Sequence, residues 1–182
     1  MINLFKILLF FSASFLMNNN YFSTDQSFKV TFPGPFLEKT DTLKTEIEEL
    51  EIHQIFHRCS AESKCEHKEK GIVYSLTYYE IPNFKFQDKY ESHFNDLAQS
   101  VIAQRENDLN GTIIYTSENE FKDLPSRLVR IDNESTSDPI SCKLRILTFK
   151  DFFIVLQVEG ERKEINKPQA LSFLDSFKLI NK

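Results

Sequence analysis

The sequence predicts an α+β domain with a largely antiparallel sheet flanked by helices, in the element order ββββαββββα. β-branched and aromatic residues, including 18 Phe and 6 Tyr, cluster in short runs, which favours strands. Apolar residues recur with helical spacing in a long central segment and in a short C-terminal segment. The links between the predicted strands are mostly short, and short links join antiparallel strands.

The first predicted strand spans residues 27–32 and is defined by alternation. Phe28, Val30 and Phe32 fall on one face, as expected of a strand that buries that face in a core. A Pro-Gly-Pro sequence follows and ends the strand, because proline has no backbone N–H to donate to a ladder.

The next three strands complete the first half of the domain. Residues 43–48 and 51–58 predict a hairpin whose turn lies near Glu49 and Leu50. Residues 72–81 predict a strong strand, which ends before a Pro-Asn pair. Its apolar face carries Ile72, Tyr74, Leu76 and Tyr78.

A long helix is predicted over residues 88–109. An Asn-Gly pair directly after it supplies the stop, because both residue types tolerate the left-handed conformation that ends helices. One helix face is apolar and the opposite face is polar, so we expect the helix to pack on the sheet. The apolar stripe consists of Tyr90, Phe94, Leu97, Val101 and Ile102.

Four more strands and a closing helix follow. In that helix Pro168 lies in the first turn, where its missing N–H costs little, and Asn166 is predicted to be the cap. The apolar face of the helix carries Ala170, Phe173, Leu174 and Phe177. The strands are predicted at residues 112–117, 126–132, 141–149 and 152–159, and the last two form a tight hairpin.

Residues 1–20 predict a secretory signal peptide. Lys6 supplies a positive charge, and the apolar run at residues 7–17 has eleven residues. This length fits the apolar region of a signal peptide, about 7–15 residues, and is shorter than the roughly 20 residues that span a bilayer. We expect cleavage between residues 14 and 20. The sequence therefore predicts export to the periplasm or extracellular space, no membrane anchor after cleavage, and one mature domain over residues 21–182.

Charge and glycine content argue against two classes of partner. The formal net charge is −5, whereas nucleic-acid-binding domains carry a basic surface. The four glycines are isolated in the sequence, so they cannot build a Gly-rich loop that cradles phosphates. We therefore expect neither nucleic acid nor nucleotide as a partner.

Three groups of residues resemble the PsbP-like fold. They are the opening Phe-Lys-Val-Thr-Phe-Pro sequence at 28–33, the strand at 72–82, and residues 153–157 with 173–178 near the end. This fold is shared by a photosystem II extrinsic subunit, a small Ran-binding nuclear import factor and many exported bacterial proteins. The resemblance implies a sheet flanked by helices and a function in binding partners. The matching residues are core and turn residues, so it implies no catalytic or cofactor-binding residue.

One local arrangement in the sequence is symmetric. His57 and Cys59 precede a loop, and Cys65 and His67 follow it. In an oxidising compartment the two cysteines are expected to form a disulfide, which stabilises the fold by about 2 kcal/mol for so short a loop. The alternative is a zinc or copper site, because paired flanking strands would bring all four side chains together. Apart from this alternative, no cofactor is expected.

The remaining candidate residues are interpreted more simply. Cys142 shares a strand face with apolar residues and is expected to be a buried, reduced thiol. The acidic residues Glu118, Glu120 and Asp123 are the only support for a hydrolase. Four more acidic residues surround the first hairpin turn and form either a patch for a cation or basic partner or an ordinary solvated surface. They are Glu46, Glu48, Glu49 and Glu51.

The sequence therefore favours an exported, non-enzymatic binding or accessory protein of the cell envelope. We expect it to hold a protein partner at a sheet edge or in a groove between sheet and helix. A metal-binding module built on the His57/Cys59/Cys65/His67 loop is the alternative, and a hydrolase has the least support because no catalytic motif occurs.

Overall fold

The computed structural model describes residues 19–44, 49–58, 71–81, 90–133 and 139–180. This part of the chain is α+β, as predicted. Its elements, in chain order, are β1 (Asn20–Phe22), β2 (Phe28–Thr31), β3 (Leu37–Lys44), β4 (Glu49–Arg58), β5 (Val73–Glu80), α1 (Tyr90–Leu109), β6 (Thr112–Phe121), β7 (Leu124–Asp132), β8 (Ile140–Phe149), β9 (Phe152–Glu161), α2 (Pro168–Leu174) and β10 (Lys178–Leu179).

Within these residues the strands form two sheets. The larger has seven strands in the order β3-β4-β5-β9-β8-β7-β6, and the smaller has the order β1-β2-β10. Every strand pair among them is antiparallel, as the short links predict. Strands β3 and β6 are the edge strands of the larger sheet. In the smaller sheet, β2 lies in the centre, with β1 on one side and β10 on the other.

The element order differs from the prediction at both ends. Within the described residues, five strands precede α1 instead of four, because the short strand β1 pairs with β2. A further short strand, β10, follows α2 and also pairs with β2. Strand β1 has three residues and β10 has two, which is too few to show an alternating pattern in the sequence.

A β3–β4 hairpin is present as predicted, but its first strand is Leu37–Lys44, most of which precedes the predicted residues 43–48, and the prediction of a turn near Glu49 and Leu50 is wrong. The register pairs Lys44 with Glu49, so Glu49 and Leu50 belong to β4. Residues 45–48 lie outside the described residues.

One face of the large sheet packs against the small sheet and α2. The predicted inward face of β5 is fully buried there, together with Phe28 and Phe32 of the first predicted strand. Aromatic rings hold the two sheets together, since Phe28 contacts the rings of Tyr78, Phe152 and Phe177 at centroid distances of 5.2, 5.8 and 5.3 Å. Side-chain packing rather than backbone hydrogen bonding therefore joins the sheets.

The other face of the large sheet packs against α1. The helix lies over β7 and β8, and its Phe94, Ala98 and Ile102 are buried against these strands and β9. Leu97 and Val101 are only partly buried at the side of this cluster. No helix in the described part of the chain is both long and apolar enough to cross a membrane.

The end of α1 follows the predicted signal. Asn110 has a positive φ of 46°, and the N–H groups of Asn110 and Gly111 donate to the carbonyls of Asn107 and Glu106, which is the Schellman arrangement. A Cβ on Gly111 would lie 2.8 Å from the Ile131 side chain. Gly111 therefore lets β6 begin in close contact with β7.

The start of α2 differs from the prediction in its cap. Pro168 is the first helical residue, as predicted, but the cap is Lys167, whose side chain makes no capping hydrogen bond. The Asn166 side chain instead accepts a hydrogen bond from Lys143 Nζ at 2.8 Å and donates to the Arg162 carbonyl. Asn166 thus ties the turn before α2 to strand β8.

Candidate functional site

A groove runs beside α1 on the face of the large sheet that the helix leaves uncovered. The helix covers β7, β8 and part of β9, so the same face of β4 and β5 stays open. The groove has a volume of about 570 Å³, which lies within the roughly 300–1,000 Å³ range of binding clefts. Strands β4, β5 and β9 form its floor, and α1 forms one wall.

The strand register arranges the floor in rows. Phe56 lies opposite Ser75, which lies opposite Gln157, and these three side chains share one face of the sheet. The next row contains Gln54, Thr77 and Val155. Both rows combine apolar surface with uncharged hydrogen-bonding groups.

Arg105 fixes the position of α1 beside the groove. Its Nε donates to Gln157 Oε1 at 3.1 Å, and its Nη2 donates to Glu159 Oε2 at 2.6 Å. Nη1 also pairs with Asp108 at 3.3 Å. The guanidinium is therefore neutralised by two carboxylates, and it ties the helix to β9.

The remaining groove side chains are uncharged at neutral pH. Burial raises the pKa of the Tyr79 phenol to about 12, so the phenol stays protonated. Ser100 and Gln104 of α1 add a hydroxyl and an amide to the wall. The groove therefore offers hydrogen bonds and apolar contacts but no excess charge.

Exposed apolar side chains mark the mouth of the groove. Leu37 of β3 is 65% exposed and Phe56 of β4 is 37% exposed. The two residues lie opposite each other in the β3–β4 register, so their side chains share the face that carries the groove. Adjoining apolar side chains that stay in water beside a cleft are typical of an interaction surface.

Cys142 lies beneath this region and is inert. The residue is fully buried in the cluster that packs against α1, which confirms the prediction of a buried free thiol. Burial raises the pKa of the thiol to about 12. A thiol that keeps its proton at neutral pH is a poor nucleophile and metal ligand.

His57 is the one described member of the symmetric His/Cys arrangement. It is 5% exposed, so its side chain is buried. Its Nδ1 donates to the Pro35 carbonyl at 2.5 Å, and a Cβ on Gly34 would lie 2.5 Å from its ring. The ring therefore packs beneath the Pro-Gly-Pro turn. Cys59, Cys65 and His67 lie outside the described residues.

The predicted acidic patch is described only in part. Glu46 and Glu48 lie outside the described residues, and Glu49 is the first residue of β4. The Glu51 carboxylate is exposed and lies 3.3 Å from His53 Nε2. Of the acids considered for hydrolysis, Glu118 pairs with Arg127, and Asp123 lies in the β6–β7 turn with a positive φ of 63°.

Sequence reasoning named a helix–sheet groove but missed the residues that form it. In β4 the inward face carries His53, Ile55 and His57, so Gln54 and Phe56 necessarily occupy the other face. That alternation was readable in the sequence. The sequence could not show that α1 leaves this face uncovered, because that depends on where α1 lies across the sheet.

Comparison with known proteins identifies similarity at the level of fold. No protein-family model and no curated protein matches the chain. The solution structure of cyanobacterial PsbP (CyanoP) from Synechocystis sp. PCC 6803 is similar over 88% of this chain and 91% of that chain, with a TM-score of 0.56 and 10% identity.

Two further solved structures are similar at lower scores. A crystal structure from Bacteroides thetaiotaomicron VPI-5482 matches 91% of this chain at a TM-score of 0.48 and 8% identity, and this chain spans about half of its length, 49%. The protein of unknown function PA94 from Pseudomonas aeruginosa matches 79% of this chain and 97% of its own length, at a TM-score of 0.44 and 8% identity.

Proposed function

We propose that this chain, which has the PsbP-like fold, is an exported, non-enzymatic accessory protein of the cell envelope that binds a segment of another protein. The binding site in this proposal is the groove between α1 and strands β4, β5 and β9. The observation that carries the proposal is the uncovered face of the large sheet, where Leu37 and Phe56 are exposed beside a cleft of about 570 Å³.

The chemistry of the groove defines the segment that it fits. Arg105 is already paired with Asp108 and Glu159, so a charged segment would gain no ion pair there. The amides of Gln54 and Gln157 can instead bond to peptide groups, while Phe56 and Leu37 provide apolar surface. The proposed occupant is an uncharged polypeptide segment with apolar side chains on one face.

The other parts of the proposal concern the whole chain. In it, the fold is the PsbP-like α/β/α sandwich, with α1 and α2 on opposite faces of the large sheet. Residues 1–20 direct export, and Cys59 and Cys65 form a disulfide in the oxidising compartment. The antiparallel sheets and the likeness to CyanoP support the fold, and the sequence pattern supports export.

The experiment is affinity capture with a matched pair of variants. Immobilised protein is incubated with the envelope fraction of the source cells, and the bound proteins are identified and titrated. Phe56→Ser removes an aromatic contact at the groove mouth, and a buried aromatic anchor is worth about 2 kcal/mol or more to an interface. We expect at least about a tenfold loss of affinity for the captured partner.

Phe22→Ser is the control, because Phe22 is 43% exposed but lies in the small sheet. It should retain the partner at the affinity of the unmodified protein. Equal loss in both variants, or no loss in Phe56→Ser, would place the binding surface elsewhere. Turnover of a substrate by the purified protein without any partner would contradict the non-enzymatic function.

A further inference from the structure

The groove beside α1 has the dimensions of a second helix on the sheet. Its α1 wall runs from Leu97 to Asp108, which is about 16 Å or about three turns at a rise of about 1.5 Å per residue. Packed helices lie about 8–10 Å apart, and neighbouring strands lie about 4.8 Å apart. Because α1 lies over β7 and β8, a helix next to it would lie two strands further along, over β9 and β5. These strands belong to the floor of the groove.

The wall of the groove carries side chains at the spacing of a helix–helix contact. Leu97, Val101, Gln104 and Asp108 line the groove, and they follow one another at intervals of four, three and four residues. This is the spacing with which one helix meets another along a shared line. Leu97 and Val101 are only partly buried, so their apolar surface is available to a neighbour. The helix therefore has one face on the sheet and an adjoining contact line beside the groove.

An extended segment in the groove would lack partners for its backbone. The N–H and C=O groups of a strand point sideways, so one row of them would face the α1 wall, where the Leu97 and Val101 side chains form no hydrogen bonds. The amides of Gln104 and Gln157 are already bonded to neighbouring side chains. Buried peptide groups without partners are costly, whereas a helix satisfies its peptide groups internally. The groove therefore favours a helical occupant.

The charge of the groove determines which face of such a helix fits. Arg105 is paired with Asp108 and Glu159, so a charged side chain on the occupant would lose water without gaining a partner. The floor between wall and mouth carries Ser75 and Thr77, whose small side chains leave space for apolar side chains from above. The face in contact is therefore uncharged and apolar.

We propose that the occupant of the groove is an amphipathic α-helix of the partner protein, about three turns long, which packs beside α1 on β5 and β9. This inference rests on the proposed function, because it specifies the partner segment that the same groove binds. Apolar side chains of the partner helix contact Leu97, Val101 and Phe56, and its polar face remains in water. A helix of this length is marginal alone in water, so the free segment becomes helical on binding.

Circular dichroism and peptide titration test the helical conformation. The probe is the partner segment recovered in the affinity capture, synthesised as a free peptide. We expect its helical signal to increase when the protein is added. α-Aminoisobutyric acid on the polar face of the peptide favours the helix before binding and should tighten binding about threefold or more. An unchanged helical signal, or weaker binding of the peptide that contains α-aminoisobutyric acid, would overturn the inference.

A matched pair of variants on α1 tests the position of the peptide. Ser100 and Gln99 are both exposed, but only Ser100 lines the groove. Ser100→Lys places a charge in the contact and should weaken peptide binding at least about tenfold, whereas Gln99→Lys should leave the affinity unchanged.

The outcomes separate this inference from the proposed function. If Phe56→Ser weakens peptide binding but Ser100→Lys does not, the groove region binds a segment that does not pack beside α1, for example one that pairs with the edge strand β3. That result would overturn the helix and leave the proposed function standing. Capture of no partner, or unchanged peptide binding in Phe56→Ser, would overturn both.

Discussion

Replacing Phe28 with alanine should weaken the packing of the small sheet on the large one and strongly destabilise the protein. Phe28 is fully buried in β2, and β2 forms backbone pairs only with β1 and β10 among the described strands. Its ring contacts Tyr78 of β5 and Phe152 of β9 in edge-to-face geometry. The ring is therefore one of the main contacts between the sheets.

The size of the effect follows from burial and ring contacts. Removing a fully buried phenylalanine side chain costs about 3–5 kcal/mol, and each aromatic pair adds about 0.5–1.5 kcal/mol to area burial. With three ring partners, we expect Phe28→Ala to cost about 4 kcal/mol, the middle of that range. Phe28→Leu keeps most of the buried volume and should cost about 1.5 kcal/mol.

Equilibrium unfolding in urea measures both changes. With an m value of about 2 kcal/mol/M, a loss of about 4 kcal/mol lowers the midpoint by about 2 M. Phe22→Ala is the matched control, since Phe22 lies in the neighbouring strand but is 43% exposed. It should change the free energy of unfolding by about 0.5 kcal/mol.

A small loss of stability in Phe28→Ala would refute this reasoning. A loss below about 1.5 kcal/mol in Phe28→Ala, or one equal to that of Phe22→Ala, would show that the small sheet does not pack on β5 and β9 as described.

Two further predictions concern pH and processing. Burial raises the pKa of the Cys142 thiol from its ordinary 9.0, and that of the Tyr79 phenol from 10.0, to about 12, so the folded state retains protons that the unfolded chain releases. The free energy of unfolding should therefore fall as the pH rises from about 9 to 12, and it should fall less steeply in Cys142→Ala than in the unmodified protein. Urea titrations that show no such fall would contradict this prediction. The Asn19 carbonyl accepts a hydrogen bond from Phe32 N–H, so cleavage of the proposed signal peptide should leave a chain that begins at or before Asn19. Mass spectrometry that finds a start at Tyr21 would contradict this.

Elements with a clear periodicity were predictable from the sequence. The buried faces of β2 and β5 follow from alternation of large apolar residues, and α1 ends at the Asn-Gly pair as its geometry requires. Leu97 and Val101 were assigned to the apolar stripe of α1, and they are partly buried because they flank the groove. A stripe in the sequence indicates apolarity, whereas the extent of burial depends on how the helix crosses the sheet.

Other features depend on tertiary contacts and were not predictable in this way. Asn166 has the residue type of a cap, but its side chain bonds to Lys143 and to the Arg162 carbonyl, a partner set that only the folded chain brings together. Arg127 could have been flagged, because alternation places it with Val129 and Ile131. Its hydrogen bonds to Glu118 and Asn95, however, are a property of the fold.

Site-specific photo-crosslinking from the groove tests the central claim most directly. A benzoylphenylalanine at position 54 replaces the exposed Gln54 in the groove, and the same residue at position 22 replaces Phe22 as the control. The account predicts that irradiation of cells links position 54 to one envelope protein, through an uncharged segment with apolar residues, and that position 22 does not form this product. No crosslinked partner from position 54, or the same products from both positions, would contradict the claim that the groove binds a protein segment.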